Sequence, residues 1–290
     1  MTFVTRFAPS PTGPLHLGHA YSALLAHDMA LEKSGTFLLR IEDIDQSRSR
    51  PEWEAQIYDD LAWLGLAWPT PVMRQSDRLP VYTDALRSLM QRGLAYPCSC
   101  TRRDIAAAAS APQEGAPLLG PDGIVYPGTC RPPKGAAPCT NLPPGAALRL
   151  DMRAARQVLD APPEFNETDA GPKGETGLIR ADWPDILNGV GDIVLARPAM
   201  GTSYHLSVVL DDAAQGITLV TRGADLFEAT VIHVILQRLM GLPTPGYHHH
   251  RLIRDKAGKR LAKRDDARAI ARYRTDGISP AQIRDMLSLP

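Results

Sequence analysis

The chain carries no excess of charge: 32 Lys and Arg stand against 32 Asp and Glu, for a formal net charge of zero. A polyanion partner therefore has no global field to follow, and any nucleic-acid site must be a local patch. No apolar run approaches membrane-spanning length, and the N-terminus lacks the apolar core of a secretory signal. Cysteine is sparse, at four in 290 residues. That argues against a disulfide scaffold, makes the cytoplasm the default location and leaves metal binding as the sharper use of the thiols. There is no internal repeat, and no G-x-G-x-x-G follows a strand, so the dinucleotide fingerprint is missing. What remains is globular in composition. A hydrophobic fraction of 44% and a charged fraction of 22% argue against wholesale disorder, and 290 residues allow one large domain or two small ones.

The chain is organised around Arg6 to His19, RFAPSPTGPLHLGH. Thr2-Phe3-Val4-Thr5 is β-prone, Pro9, Pro11 and Gly13 forbid regular structure, and Ala20, Leu24, Leu25 and Leu31 recur at helical spacing. This is strand, loop, helix. His16 and His19 share one face of the first helical turn, where free N–H groups and the dipole stabilise an anion such as a nucleotide phosphate. Gly18 has no Cβ, so a flat base could approach its backbone.

Further on, Phe37 to Glu42 reads as a buried parallel strand that delivers a carboxylate at its C-terminal end, the edge where open α/β sheets bind ligands. Pro51 to Leu66 is a helix with Trp53, Ile57, Leu61 and Leu64 on its core face. A second helix, carrying Tyr82, Leu86, Leu89 and Met90, closes at Gly93. Cys98-Ser99-Cys100 opens a Pro-, Gly- and Ala-rich region that also holds Tyr126, Cys130 and Cys139. Spacing alone leaves a structural zinc and unpaired buried thiols as equal readings. Ala147–Leu150 and Gly191–Arg197 read as strands, Phe165–Gly177 as a polar loop, and Tyr204 as a residue at a strand edge. Ile217–Val220 leads into Arg222 and then a helix through Ile232, Ile235, Leu236 and Leu239. His248-His249-His250 would alternate on a strand, so the run is the entry to the next loop and not a joint metal site. Arg251, Arg254, Lys256, Lys259, Arg260, Lys263, Arg264, Arg268, Arg272 and Arg274 crowd the tail. They form either an RNA phosphate patch or an ordinary exposed helix.

His16-Leu17-Gly18-His19 resembles the HIGH signature of class I aminoacyl-tRNA synthetases, and the longer string resembles the opening of the glutamyl- and glutaminyl-type enzymes. LRIEDID up to Asp45, Gln75-Ser76, the run from Gly191 through Tyr204 to Asp212, and Arg222-Gly223-Ala224-Asp225-Leu226 are similar to further elements of that family. Arg260-Leu261-Ala262-Lys263 resembles its KMSKS loop, with Arg260 in place of lysine and Ala262 in place of serine. The resemblance implies an α/β fold: a Rossmann-like parallel sheet, an inserted zinc-containing α+β subdomain and a short C-terminal helical piece, Ala267 to Leu289. The implied division is 1–95, 96–190, 191–250 and 251–290. It places Arg6, Ala8, Ser10, Glu42, Tyr204 and Arg222 on substrate glutamate, with Glu42 on its amino group and Arg222 on a carboxylate. It places Pro9, His16, Gly18, His19 and Lys263 on ATP with its Mg²⁺, and makes His16, His19 and Lys263 catalytic.

Within the family, Cys-x-Cys followed by Tyr-x-x-x-Cys resembles the glutamyl-queuosine tRNA(Asp) synthetases. That implies one Zn²⁺ on Cys98, Cys100, Tyr126 and Cys130. Cys139 is an alternative ligand, because a thiolate binds zinc better than a phenol with a pKa of about 10. The loop between the two halves of this motif is long for the family. The expected reaction is ATP-dependent formation of glutamyl-adenylate without tRNA, then transfer of glutamate to queuosine in the anticodon loop of tRNA(Asp), by a monomer. The sequence leaves no room for an anticodon-binding region. Two alternatives stand beside this: a truncated glutamyl-tRNA synthetase charging a tRNA 3′ end, and a non-catalytic tRNA-binding or amino-acid-sensing module.

Overall fold

The computed structural model describes residues 2–110, 118–141, 143–254 and 268–290. Strand β1 (Val4–Phe7) and strand β2 (Thr36–Ile41) pair in parallel, with Val4 opposite Thr36 and Phe7 opposite Leu39. Helix α1 (Leu17–Glu32) makes the crossover, and its buried face is mostly alanine, which lets it lie close on the strands. Helix α2 (Pro51–Trp63) begins with proline, whose fixed φ suits a first turn, and carries Glu52 and Glu54 where the dipole favours them. Strand β3 (Met73–Arg74) extends the parallel edge. Helix α3 (Leu79–Gln91) stops before Gly93, whose φ of 69° a residue with a Cβ adopts poorly.

Strand β4 (Ala95–Cys98) starts a different layer. Helix α4 (Arg102–Ser110) and a hairpin of β5 (Leu119–Gly120) and β6 (Gly123–Ile124) follow it. Strand β7 (Ala147–Leu150) then pairs antiparallel with β4. Helix α5 (Met152–Val158) is capped by the Asp151 carboxylate. Strands β8 (Glu164–Glu167) and β9 (Gly177–Arg180) and the short helix α6 (Trp183–Asp185) lead to β10 (Val194–Ala196), the other neighbour of β7.

Helix α7 (Tyr204–Ala214), strand β11 (Leu219–Gly223), helix α8 (Thr230–Leu239) and strand β12 (Gly246–His250) complete a second parallel unit. Its strand order is β11-β12-β8-β9, with only β9 antiparallel. The two parallel units meet along β1 and β11: Thr218 N–H donates to Val4 C=O at 2.9 Å, and Val4 N–H donates to Thr218 Oγ1 at 2.9 Å. Helices α9 (Ile270–Thr275) and α10 (Pro280–Leu287) return to the first unit. Ile270, Tyr273, Ile283 and Leu287 enter the core beneath α1 and α2, and Arg284 forks onto Asp28 at 2.7 and 2.8 Å.

Two expectations change. The segment read as a polar loop from Phe165 begins as strand β8, with Phe165 and Glu167 turned inward. Glu167 is a polar residue at a core position because its carboxylate is fully bonded there, which no hydropathy pattern displays. Tyr204 stands at a helix start instead of a strand edge. Ser203 caps that helix with its hydroxyl, and the adjacent valines, though β-prone, are simply its buried face.

Candidate active site

A cavity of about 370 Å³ opens at the carboxyl ends of β1, β11 and β12 and beside the residue that follows β2. One part of its lining is built on the first turn of α1. His16 is the N-cap, and its Nδ1 accepts the Gly18 N–H at 3.0 Å. His19 answers: its Nδ1 accepts the His16 N–H at 3.1 Å. The ring centroids lie 3.8 Å apart. A neutral imidazole that accepts at Nδ1 holds its proton on Nε2, so this reciprocal cap fixes both rings as Nε2–H donors. A Cβ on Gly18 would stand 3.0 Å from His16 Cε1 and 3.1 Å from its Nδ1. The room left by the glycine is thus taken by the histidine ring and not left open to a base.

Two further lining residues, Arg6 and Glu42, belong to a buried polar network. Arg40, fully buried, donates to Asp212 at 2.7 Å and to Glu42 at 3.0 Å. Burial lifts the Glu42 carboxyl above its ordinary range, and the Arg40 charge opposes that. Arg6 lines the cavity but already grips Asp212 with two N–H groups, at 2.9 and 3.3 Å. Burial works against the Asp212 carboxylate, yet Arg6 and Arg40 together hold its pKa below the usual value. Tyr204 lines the same cavity, its phenol raised by burial.

Arg222 differs from the other two arginines. It is buried and lines the same cavity, but its partners are the His249 and His233 rings, the Leu226 carbonyl and the Thr230 hydroxyl. None is a carboxylate. Burial and the guanidinium push His233 well below its ordinary pKa, and burial lowers His249, so both rings are neutral. A buried cation held only by neutral groups attracts an anion from the cavity.

Ala8 and Gly18 also line the cavity. Pro9 and Ser10 do not; Pro9 acts through its carbonyl, which accepts the Glu42 N–H at 3.0 Å. Arg260, Ala262 and Lys263 lie outside the described residues. The chain on either side is placed: Leu252 and Ile253 line the cavity, and Ala269 bridges His16 in antiparallel register. Sequence reasoning missed Asp212, Arg40, Glu167, His233 and His249. Asp212 and Arg40 sat inside the quoted strings, and the histidine run was read as the entry to the next loop, where the resemblance implies one histidine at the rim; the run ends strand β12, and His250 lines the cavity.

A second cluster lies in the antiparallel layer. The sulfurs of Cys98, Cys100 and Cys130 all lie within 4.8 Å of one another. The Tyr126 hydroxyl lies 3.4 Å from both Cys98 Sγ and Cys100 Sγ and accepts the Cys130 N–H at 2.8 Å. Burial opposes ionisation of Cys130, but bonds from Tyr126 and from backbone bring its thiol below its ordinary value, while burial raises Cys100 and Tyr126. Three soft sulfurs and one phenol oxygen in this compass suit a tetrahedral thiophilic ion. Cys139 is not in the group; its thiol faces the Asn141 carbonyl at 2.9 Å.

The basic tail is largely paired where it is described. Arg268 and Arg272 share Asp276, and Arg274 bonds Asp59 at 2.7 Å.

The profile of the class I tRNA synthetases (E and Q), catalytic domain, matches residues 2–116 and 179–289. The chain is 63% identical over 292 residues to a glutamyl-Q tRNA(Asp) synthetase of Rhodobacter capsulatus, covering 99% of this chain and all of that one. It is 41% identical to the enzyme of that name from Geobacter sulfurreducens, over 92% of this chain and 77% of that one. Among solved structures, a glutamate tRNA ligase from Elizabethkingia meningosepticum in complex with its amino acid aligns over 91% of the chain, with a TM-score of 0.69 and 28% identity. The chain spans 52% of that ligase. A Mycobacterium tuberculosis methionyl-tRNA synthetase, with a TM-score of 0.60, 13% identity and coverage of 99% of this chain and 64% of that one, shares the fold.

Proposed function

Because this chain belongs to the class I tRNA synthetases of the E and Q type, among the glutamyl-Q tRNA(Asp) synthetases, and is thereby a ligase, we propose that it activates L-glutamate with ATP and transfers it to queuosine in tRNA(Asp). The observation that carries the glutamate half is Arg222, a buried guanidinium lining the cavity whose hydrogen-bond partners among the described residues are all uncharged. A substrate carboxylate supplies the missing anion through a charge-assisted hydrogen bond. Glu42, whose carboxyl burial raises while Arg40 opposes the rise, faces the substrate ammonium from the cavity wall. Arg6, neutralised by Asp212, shapes the cavity between them.

In the first step an α-carboxylate oxygen of glutamate attacks the α-phosphorus of ATP in line. The bond to the bridging oxygen breaks, pyrophosphate leaves with the electron pair, and glutamyl-adenylate remains. The Nε2–H groups of His16 and His19 and the N-terminus of α1 donate to the phosphate oxygens where charge builds. Lys263, whose flanking segments stand at the cavity, adds an ammonium on the departing side. Mg²⁺ carried by ATP would offset phosphate charge. In the second step a queuosine hydroxyl attacks the activated carbonyl, its proton is lost and AMP leaves. No protein nucleophile is needed. Cys98, Cys100, Cys130 and Tyr126 would hold one Zn²⁺, which would supply a structural cross-link within the antiparallel layer.

The test is the destination of labelled glutamate. After incubation with ATP and tRNA bearing queuosine, nuclease digestion releases the label with the anticodon fragment of tRNA(Asp). Label at the CCA end instead would identify a truncated glutamyl-tRNA synthetase. Thermal stabilisation by glutamate with no transfer at all would leave a sensing module.

A further inference from the structure

Arginine can only donate hydrogen bonds, so every imidazole nitrogen that faces one must accept. That rule fixes proton positions on both sides of Arg222. Its Nε–H points at His249 Nε2, 3.0 Å away, so the His249 proton sits on Nδ1. Nδ1 meets Glu167 Oε2 at 2.5 Å. The other Glu167 oxygen accepts the backbone N–H groups of His249 and Asp169, each at 3.0 Å. On the far side Nη1 donates to His233 Nδ1 at 2.9 Å, so His233 carries its proton on Nε2 and passes it to His205 Nδ1 at 3.1 Å. His205 Nε2 in turn faces Asp122 at 3.4 Å. The Nη2 protons go to Leu226 C=O at 3.2 Å and Thr230 Oγ1 at 2.6 Å.

Among the described residues, four of the five guanidinium protons are therefore used, and one, on Nη1, is left. We infer that Glu167 and His249 are positioning residues that hold Arg222 so that this single Nη1–H, and the uncancelled charge behind it, meets the substrate carboxylate. The inference rests on reading the cavity as a glutamate site.

The contrast with Arg6 shows what the interposed ring does. Arg6 sits directly on the Asp212 carboxylate, and two of its donors are spent on that anion. At Arg222 the carboxylate stands one imidazole further back. Glu167 fixes the His249 tautomer and ring plane, the ring fixes Nε, and among the described residues no anion touches the cation. Substrate thus meets one N–H in a fixed direction and not the two-pronged grip that a free arginine offers.

Two measurements test this. The first is glutamate-dependent exchange of labelled pyrophosphate into ATP by wild type, Glu167→Gln and His249→Asn. The expected result is a rise in KM for glutamate of roughly tenfold or more in both variants, with kcat and KM for ATP within about twofold. Preference for glutamate over glutamine falls in parallel. An unchanged KM for glutamate in a variant that keeps its KM for ATP overturns the inference alone. No glutamate-dependent exchange in wild type overturns the reading of the site beneath it. The second measurement needs no variant to fold: ¹⁵N NMR of the wild-type histidines. His249 is expected as the Nδ1–H tautomer and His233 as the Nε2–H tautomer, and finding both rings as Nε2–H overturns the inference.

Discussion

At the scale of single residues, the site is a contest over which arginine is still looking for an anion. Arg6, Arg40 and Arg222 are all buried, yet only the first two touch a carboxylate. Replacing Arg222 by Gln keeps polarity and removes charge. A charged hydrogen bond of this kind is worth about 2–3 kcal/mol, so KM for glutamate should rise roughly a hundredfold while KM for ATP holds; steady-state exchange kinetics check it. Gly18→Ala makes a finer test. The new methyl presses on the His16 ring at about 3 Å, so kcat should fall about tenfold while a thermal melt moves little. The sequence made His16, His19, Gly18, Glu42 and Arg222 legible because each stands in a local string with its own spacing. Asp212, Glu167 and His233 were not, because their meaning is a partner far away in the chain and no local pattern records it.

At the scale of elements, α1 and its flanking strands could be read directly: two prolines, a glycine and a run of spaced apolar residues admit few other structures. The Tyr204 helix and strand β8 could not, since valines suit both periods and Glu167 disguises a core strand as a loop. Helix α2 carries a feature open to measurement. Asp60 is fully buried in it, and among the described residues neither carboxylate oxygen has a hydrogen-bond partner. Burial and neighbouring Asp59 raise its pKa to about 6, well above its value in an unfolded chain. The folded state therefore favours protonated Asp60. That stabilisation is complete below the unfolded value and is lost as the pH rises through about 6, leaving a penalty at neutral pH. Asp60→Asn should raise stability at pH 7.5 by roughly 1–2 kcal/mol, below the limit that a two-unit shift sets. The gain should shrink toward zero near pH 4, as read by chemical denaturation at both values.

At the scale of the whole molecule, two layers divide the work. Parallel strands bring the amino end of α1, the ends of β11 and β12 and the C-terminal segment around one cavity, while the antiparallel layer gathers the thiols. One zinc per chain is expected in purified protein, by metal analysis. Cys130→Ser should lose it and lower the melting temperature, whereas Cys139→Ser, outside the cluster, should keep both. This arrangement was legible only as a motif. The family resemblance named four candidate ligands and a fifth, and the fold then gathered Tyr126 with three of the cysteines and left Cys139 aside.

Everything functional converges on where one small molecule lies, so a crystal of the protein with a glutamyl-sulfamoyl adenosine mimic is the most direct test. The expected density has the side-chain carboxylate about 3 Å from Arg222 Nη1, the ammonium at Glu42 and the sulfamoyl group against His16 and His19. Density for the mimic outside this cavity, or with its carboxylate turned away from Arg222, would contradict the assignment.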